Sequence, residues 1–288
     1  PKAAPKAAPK AKSEKCNEVL DVFQEISKDK YKYDIIYLSK TIEVKKSGKL
    51  VNKYTFSKNL GKGAFGEVKQ FKDKNGNMLA AKLTKDVRDY LVYKDMKNSG
   101  CKTINMRRTM YGNNQILIMN SFDGDLLDYY EKVVSKKKDV FKEWAKICED
   151  IRKMLGCLLN HEIYYTDLKS ENILVCTQDG EPKYYIGDLG GAYIKPNGGY
   201  TFSYPTPEMM PNPFIGLKPY VSNGLDPVKF VSYQIGVLLI IITSLDKIAA
   251  NMKSIGDAMK LHNSVTSTLF DKKVKDALFK LLEPDPKK

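Results

Sequence analysis

Arginine is scarce in this sequence: Arg88, Arg107, Arg108 and Arg152 are four among 48 basic residues. Lysine supplies the rest. A lysine ammonium is a point charge and not a bidentate fork, so such a surface favours diffuse attraction over the reading of base edges. The formal net charge of +14 suits acidic partners such as nucleic acid, phosphorylated protein or an anionic membrane. The plainer alternative is a solvated lysine surface. Cysteine is sparse and unpatterned. The five residues (Cys16, Cys101, Cys148, Cys157, Cys176) are odd in number and form no C-x-x-C pair. That argues against a disulfide framework or a zinc site and for a reducing, intracellular compartment, cytoplasmic or nuclear. Long apolar runs are missing too. Residues 235–242 make the most apolar stretch, eight residues long, against the roughly 20 that span a bilayer. This stretch is read as a buried helix, and no membrane partner is expected. No secretory signal opens the chain. Pro1 stands without a Met before it, as after removal of an initiator or in a fragment.

What remains is substantial. With 288 residues, 42 % of them apolar, the chain can fill one large two-lobed domain or two small ones. The first twelve residues, PKAAPKAAPKAK, place proline at every fourth position. Proline there blocks helix and sheet, and nothing larger than alanine is available for a core. Residues 1–15 therefore read as a disordered basic tail of net charge +4, from five lysines and Glu14. It resembles the tails of linker histones. A salt-sensitive contact with nucleic acid is one reading, a solubilising role the other. Residues 16–53 read as an N-terminal extension. Asn17 is a good N-cap, and Val19, Leu20, Phe23 and Ile26 at helical spacing predict a short helix over 17–29. From Tyr33 the pattern alternates, as in IIYL, TIEV and YTF, and predicts strands that continue at 79–83, 104–109 and 115–119. After Gly124 it becomes helical, with Trp144, Ile147, Ile151, Met154 and Leu158 on one face, and the second half is expected to stay mostly helical. The fold class is thus α+β in two lobes: a strand-rich part to residue 119, a hinge at 120–124 and a helical part over 125–288.

Residues 61–68 read GKGAFGEV, a G-x-G-x-x-G pattern followed by Val68. Glycine lets backbone N–H groups approach an anion. Alone the pattern is weak, and an unliganded glycine hairpin is its alternative. Here it leads to another strand, LAAKL, carrying Lys82, rather than to a helix and a distant acid. Residues 164–174, YYTDLKSENIL, then cluster Asp167, Lys169 and Asn172, and Asp188 follows 16 residues after Asn172 in IGDLGG. Asn172 and Asp188 offer oxygen ligands suited to Mg²⁺. Asp167 is an available base, and Lys169 can offset charge on a transferred phosphoryl group. Any one of these could be a capped turn. Their order and spacing together resemble a eukaryotic-type protein kinase.

The resemblance runs from about Tyr54 to the C-terminus. It implies a two-lobed protein-kinase-like fold, with residues 54–119 as the N-lobe, and a serine/threonine kinase using ATP and Mg²⁺ on protein substrates. Gly61, Lys62, Gly63 and Gly66 would cover the nucleotide phosphates. Val68 and Ala80 would roof the adenine with Leu174 beneath, and Lys82 would hold the α- and β-phosphates. Met119 falls at the gatekeeper position, Asn120 to Phe122 at the hinge, and Asp125 at a ribose contact. Asp167 would be the catalytic base, Lys169 the γ-phosphate contact, Asn172 and Asp188 the metal ligands. Thr206-Pro207-Glu208 stands for the family's Ala-Pro-Glu. Thr201, seven residues before Glu208, occupies the position where serine/threonine kinases carry Thr.

The pattern also breaks. The family's His-Arg-Asp is Tyr165-Thr166-Asp167, so the Arg that pairs with an activation-loop phosphate is absent. With only 20 residues from Asp188 to Glu208, a segment ordered by packing is expected. No Glu occurs between residues 83 and 130, so the helix-C partner of Lys82 is expected to be Asp89, with Asp86 and Asp95 as alternatives. Val231 replaces the helix-F Asp. LLEPDPKK stops where the family has an Arg, leaving Glu208 without that partner. These losses suggest a reduced kinase of the sort large DNA viruses carry, and with that a virion-associated location as an alternative expectation. LIMNSFDGDLLDYY is most similar to the casein-kinase-one group. Two other readings stay open: a pseudokinase that signals by docking, and a nucleic-acid-associated protein led by its tail.

Overall fold

The computed structural model describes residues 30–63, 66–136, 140–165, 167–178 and 180–194, with isolated positions at 20, 23, 26–27, 232, 234–236, 238, 272, 276 and 280. The expectations for the tail and for Thr166, Thr201, Glu208, Val231 and the C-terminal LLEPDPKK lie outside the described residues.

Two short strands, β1 (Ile26–Ser27) and β2 (Lys30–Tyr31), form a hairpin. The chain then builds β3 (Tyr33–Tyr37), β4 (Thr41–Lys46), the long β5 (Lys49–Gly63), β6 (Gly66–Lys72) and β7 (Met78–Thr84). Helix α1 (Arg88–Asn98) follows, then β8 (Met106–Tyr111) and β9 (Asn114–Asn120). Seven of these strands make one sheet in the order β3-β4-β5-β6-β7-β9-β8, antiparallel at every junction. The predicted helix over 17–29 is corrected in part. Leu20 is helical, but Ile26 belongs to β1, where the hairpin to Tyr31 gives its β-branched side chain a strand partner.

The period of two in β7 and β9 sorts side chains into two cores. Leu79, Ala81, Ile116 and Ile118 enter one, which is completed by Leu20, Phe23, Ile35, Tyr37, Ile42, Val44, Tyr54 and Phe71. Ala80, Leu117 and Met119 enter the other, which runs on into the helical part. The N-terminal extension thus supplies much of the first core. The sheet also curls until its edges meet. Arg107 on β8 donates to the Tyr33 carbonyl of β3 at 3.0 Å, and Tyr37 and Tyr111 pack edge to face at 5.2 Å. These side-chain contacts cover part of both edge strands, which carry no backbone ladder to each other.

Past the crossing at 121–123 come β10 (Gly124–Asp125), α2 (Leu126–Lys132), a 3₁₀ turn at Val134–Lys136 and the long α3 (Val140–Asn160). The apolar face read from the sequence is buried at Ile147, Ile151, Met154 and Leu158. The described residues of 163–194 are not α-helical as expected. They form β11 (Ile163–Tyr165), β12 (Ile173–Gln178), β13 (Glu181–Ile186) and β14 (Ala192–Ile194). β12 pairs with both β10 and β13, and β11 with β14. β11 and β14, of three residues each, carry too little alternation to be told from helix by pattern. Among the described residues, no helix is long and apolar enough to cross a membrane.

One expectation about cysteine is overturned. Cys101 and Cys157 form a disulfide across 56 residues, with Cα atoms 5.7 Å apart. Cys176 is also disulfide-bonded. Spacing along the chain reveals local pairs, whereas this bond depends on α3 packing beside the end of α1.

Candidate active site

A cavity of about 940 Å³ opens between the sheet and the segment 167–188. That lies within the usual size of a small-molecule site, about 300–1,000 Å³. Its wall includes Gly61, Lys62, Gly66, Val68, Ala80, Lys82, Met119, Phe122, Asp125 and Leu174. The same cavity is lined by Asp89, Asp167, Lys169, Asn172 and Asp188. Gly63 sits just off this wall and pairs with Gly66 at the β5–β6 turn. Asn120 and Glu171 line it as well.

The β5–β6 hairpin owes its shape to Gly66. Its φ of +135° is accessible to glycine, and a Cβ there would stand 2.0 Å from the Leu83 carbonyl oxygen. This close approach of β6 to β7 sets the glycine turn above Lys82, which pairs with Val68 across the ladder.

Alternation along β7 sends Lys82 to the cavity side, opposite Leu79 and Ala81. Its Nζ donates to Asp89 Oδ2 at 2.9 Å and to Asp188 Oδ1 at 2.7 Å. Asp89 is nearly sealed, and its other oxygen accepts from the Gly190 N–H at 3.0 Å. Of the three candidate acids, Asp89 is the one brought to Lys82, and Asp86 is engaged by Arg88. Burial disfavours the Lys82 ammonium, but the charges and hydrogen bonds of Asp89 and Asp188 outweigh it and raise its pKa. Burial pushes the Asp89 carboxyl up, with Lys82 pulling against it and the Asp188 charge adding to it. Asp188 itself adopts a left-handed conformation, φ 46°. That turn lets one short segment bring both the Asp188 carboxylate and the Gly190 N–H to the start of α1.

Asp167, Lys169 and Asn172 converge as their spacing implied. Lys169 Nζ lies 3.0 Å from Asp167 Oδ2. Asn172 Nδ2 donates to the Asp167 carbonyl and to its Oδ2, both at 2.8 Å. The Asn172 carbonyl in turn accepts from the Gly187 N–H at 2.7 Å, joining this loop to the Asp188 segment. Asn172 and Asp188 give one amide and one carboxylate on a single cavity wall, a hard-oxygen donor set that fits a divalent cation and not a soft one.

Asp125 caps α2: its Oδ1 accepts from Asp128 N at 2.9 Å while the residue lines the cavity. Phe122 packs on Tyr185 with ring centroids 5.3 Å apart. Asn120 Oδ1 accepts from Leu20 N at 2.8 Å, so the extension reaches the crossing segment. Sequence reasoning gave Tyr165 no role. It is fully buried, and its hydroxyl donates to the Gly187 carbonyl at 2.7 Å. Burial raises its pKa well above the ordinary tyrosine range. The signal was its place two residues before Asp167, where the family has His.

The family model that matches is the protein kinase domain, over residues 54–288. A calcium/calmodulin-dependent protein kinase type 1 of Caenorhabditis elegans is 24 % identical over 181 residues, which cover 58 % of this chain and 51 % of that protein. NUAK family SNF1-like kinase 2 of Rattus norvegicus is 26 % identical over 207 residues, 67 % of this chain and 31 % of that protein. A striated muscle preferentially expressed protein kinase of Danio rerio is 25 % identical over 195 residues, 64 % of this chain and 6 % of that protein. The chain spans about half the length of the calcium/calmodulin-dependent relatives it matches.

Proposed function

Because the chain belongs to the protein kinase domain family, we propose that it transfers the γ-phosphoryl group of ATP to a serine or threonine hydroxyl of a protein. The observation that carries this reading is the meeting of Lys82, Asp89, Asp167, Lys169, Asn172 and Asp188 on one cavity. Asp167 is placed to orient the acceptor hydroxyl and take its proton. Lys169, beside it, offsets charge as the phosphoryl group moves. Lys82 holds the α- and β-phosphates, and Asp89 holds Lys82. The glycine turn of residues 61–66 covers the phosphates with backbone N–H groups. Asn172 and Asp188 would hold Mg²⁺, which supplies neutralisation of the phosphate charge. Thr201 supports the choice of serine or threonine over tyrosine. Thr166, in place of the family's Arg, supports activity independent of activation-segment phosphorylation. The missing helix-C Glu was the main argument for a docking-only pseudokinase, and the Lys82–Asp89 contact at 2.9 Å supports the active reading instead. The basic tail of residues 1–15 fits an accessory, salt-sensitive contact with nucleic acid.

The test is transfer of labelled phosphate from Mg-ATP to casein, to a basic protein and to the chain itself, followed by phosphoamino-acid analysis. Phosphoserine or phosphothreonine is expected, with none formed by Asp188→Ala. Label on tyrosine, or undiminished transfer by that variant, would contradict the reading.

A further inference from the structure

The disulfide between Cys101 and Cys157 joins two parts of the proposed machinery. Helix α1 ends in a Schellman motif: Gly100, at φ +71°, donates to the Lys97 carbonyl, and Cys101 N donates to the Met96 carbonyl at 2.9 Å. Cys101 is therefore fixed rigidly to the helix that carries Asp89. Cys157 lies in the last turn of α3, which leads through a turn at His161 and Glu162 into β11 and on to Asp167. The bond thus straps the helix holding Lys82 to the helix that precedes the catalytic loop.

Its surroundings are those of an exchanging bond. The two residues are unequal: Cys101 is buried at 6 % exposure, while Cys157 is only partly covered. An exposed imidazole stands beside them, with His161 Nδ1 3.6 Å from Cys101 Sγ and 4.0 Å from Cys157 Sγ. The same Nδ1 lies 2.9 Å from the Cys157 carbonyl, which holds the ring in place. Among the described residues, this is the one group of three cysteine, histidine or acidic side chains whose ligand atoms gather this closely. Imidazole next to a thiol favours the thiolate, and a thiolate that leaves easily makes its disulfide exchange faster.

We propose that Cys101–Cys157 is a reversible thiol–disulfide modification site, worked by a low-molecular-weight thiol and its disulfide, and that its state sets the hold of α1 on Lys82. A small thiolate attacks Cys157 Sγ, on the less buried of the two residues. The new mixed disulfide forms there, and the broken bond's electron pair leaves on Cys101 Sγ, which takes a proton from solvent through His161. A second small thiolate attacks the small-molecule sulfur of the mixed disulfide and releases Cys157 as thiolate. The protein gains two electrons, and two small thiols become one small disulfide. Closure is the reverse, with the small disulfide as oxidant. Opening frees the end of α1. Asp89 is one methylene shorter than the Glu it replaces, so a small displacement of α1 breaks its contact with Lys82.

The activity part of this inference rests on the proposed phosphotransfer; the thiol chemistry does not, and the two are read separately. The full chain is equilibrated in glutathione buffers from reducing to oxidising. Free thiols are trapped by alkylation, and the peptides holding Cys101 and Cys157 are read by mass. Binding of a fluorescent ATP analogue and ATP-dependent transfer are measured in the same buffers. The two thiols are expected to open and close together within the glutathione range, and His161→Ala to slow the exchange. Reduction is expected to weaken nucleotide binding several-fold and to raise the KM for ATP. Cys157→Ser is expected to give the weakened values in every buffer, which separates this bond from that of Cys176. A bond that stays closed in all buffers, thiols that stay free in all, or zinc retained by the reduced protein would overturn the site. Opening with unchanged nucleotide binding, or an equal redox response in Cys157→Ser, would overturn the coupling to α1.

Discussion

At the scale of single residues, the site is a set of short contacts with little slack. Lys82 is shared between Asp89 and Asp188 at 2.9 and 2.7 Å, and Asp89 is shared between Lys82 and the Gly190 N–H. An Asp reaches both partners only because α1 sits close to the start of the segment after Asp188. Restoring the family's residue should therefore harm this protein. Asp89→Glu is expected to lower kcat/KM for ATP about tenfold, on the order of 1.4 kcal/mol, through displacement of either Lys82 or Gly190. Steady-state kinetics on the folded variant checks this, and wild-type values would refute it. Tyr165 offers a second probe. Its hydroxyl is buried on the Gly187 carbonyl, so Tyr165→Phe strands that carbonyl and is expected to cost roughly 1–3 kcal/mol. A lowered unfolding midpoint with reduced transfer is the expected result.

Elements are set by equally specific local devices. The turn from β6 to β7 is organised by one carboxylate. Asp73 Oδ1 accepts from the backbone of Asn75 and Asn77, and Oδ2 from the side chains of Asn52 and Asn77, at 2.8–3.0 Å. Burial works against its charge, but these hydrogen bonds outweigh it and lower its pKa below the ordinary 3.8. A lowered folded-state pKa stabilises the fold above the unfolded value, and that contribution fades as pH falls through the folded value. Urea unfolding midpoints of the wild type should thus decline more steeply on acidification below about pH 4 than those of Asp73→Asn. At neutral pH, Asp73→Ala is expected to cost roughly 1.5–3 kcal/mol, as for hydrogen bonds to a charged group. The β5–β6 turn is less forgiving: Gly66→Ala puts a Cβ against the Leu83 carbonyl at a φ of +135°. Weakened nucleotide binding is its expected effect.

For the whole molecule, legibility follows distance along the chain. The Asp167–Lys169–Asn172 cluster closes within six residues, and its geometry was readable from spacing. Lys82 and Asp89 are seven apart, and absence of Glu narrowed the choice of partner. The strands of the seven-stranded sheet were readable because alternation between two cores persists along them, as in β7 and β9, whereas the six-residue β12 and β13 were not told from helix. What the sequence hid are long-range events. The Cys101–Cys157 bond spans 56 residues, and β11 meets β14 across Ile163 and Ile194 with three residues apiece. Closure of the sheet through Tyr37 and Tyr111 joins positions 74 apart. The extension was read as lying outside the N-lobe, yet Leu20, Ile35, Tyr37, Ile42 and Val44 are buried in the core that this sheet packs. A chain starting at residue 54 would uncover Phe71, Leu79 and Ile116, at about 1.5–3 kcal/mol for each large apolar side chain exposed.

The central claim is that this constellation moves a phosphoryl group. It is tested most directly by single-turnover transfer from Mg-ATP to a serine- and threonine-containing protein, with wild type and Asp167→Asn compared and nucleotide affinity measured beside each. The account predicts transfer by the wild type and its loss in the variant at unchanged affinity for ATP. Tight nucleotide binding by both proteins with transfer by neither would contradict it.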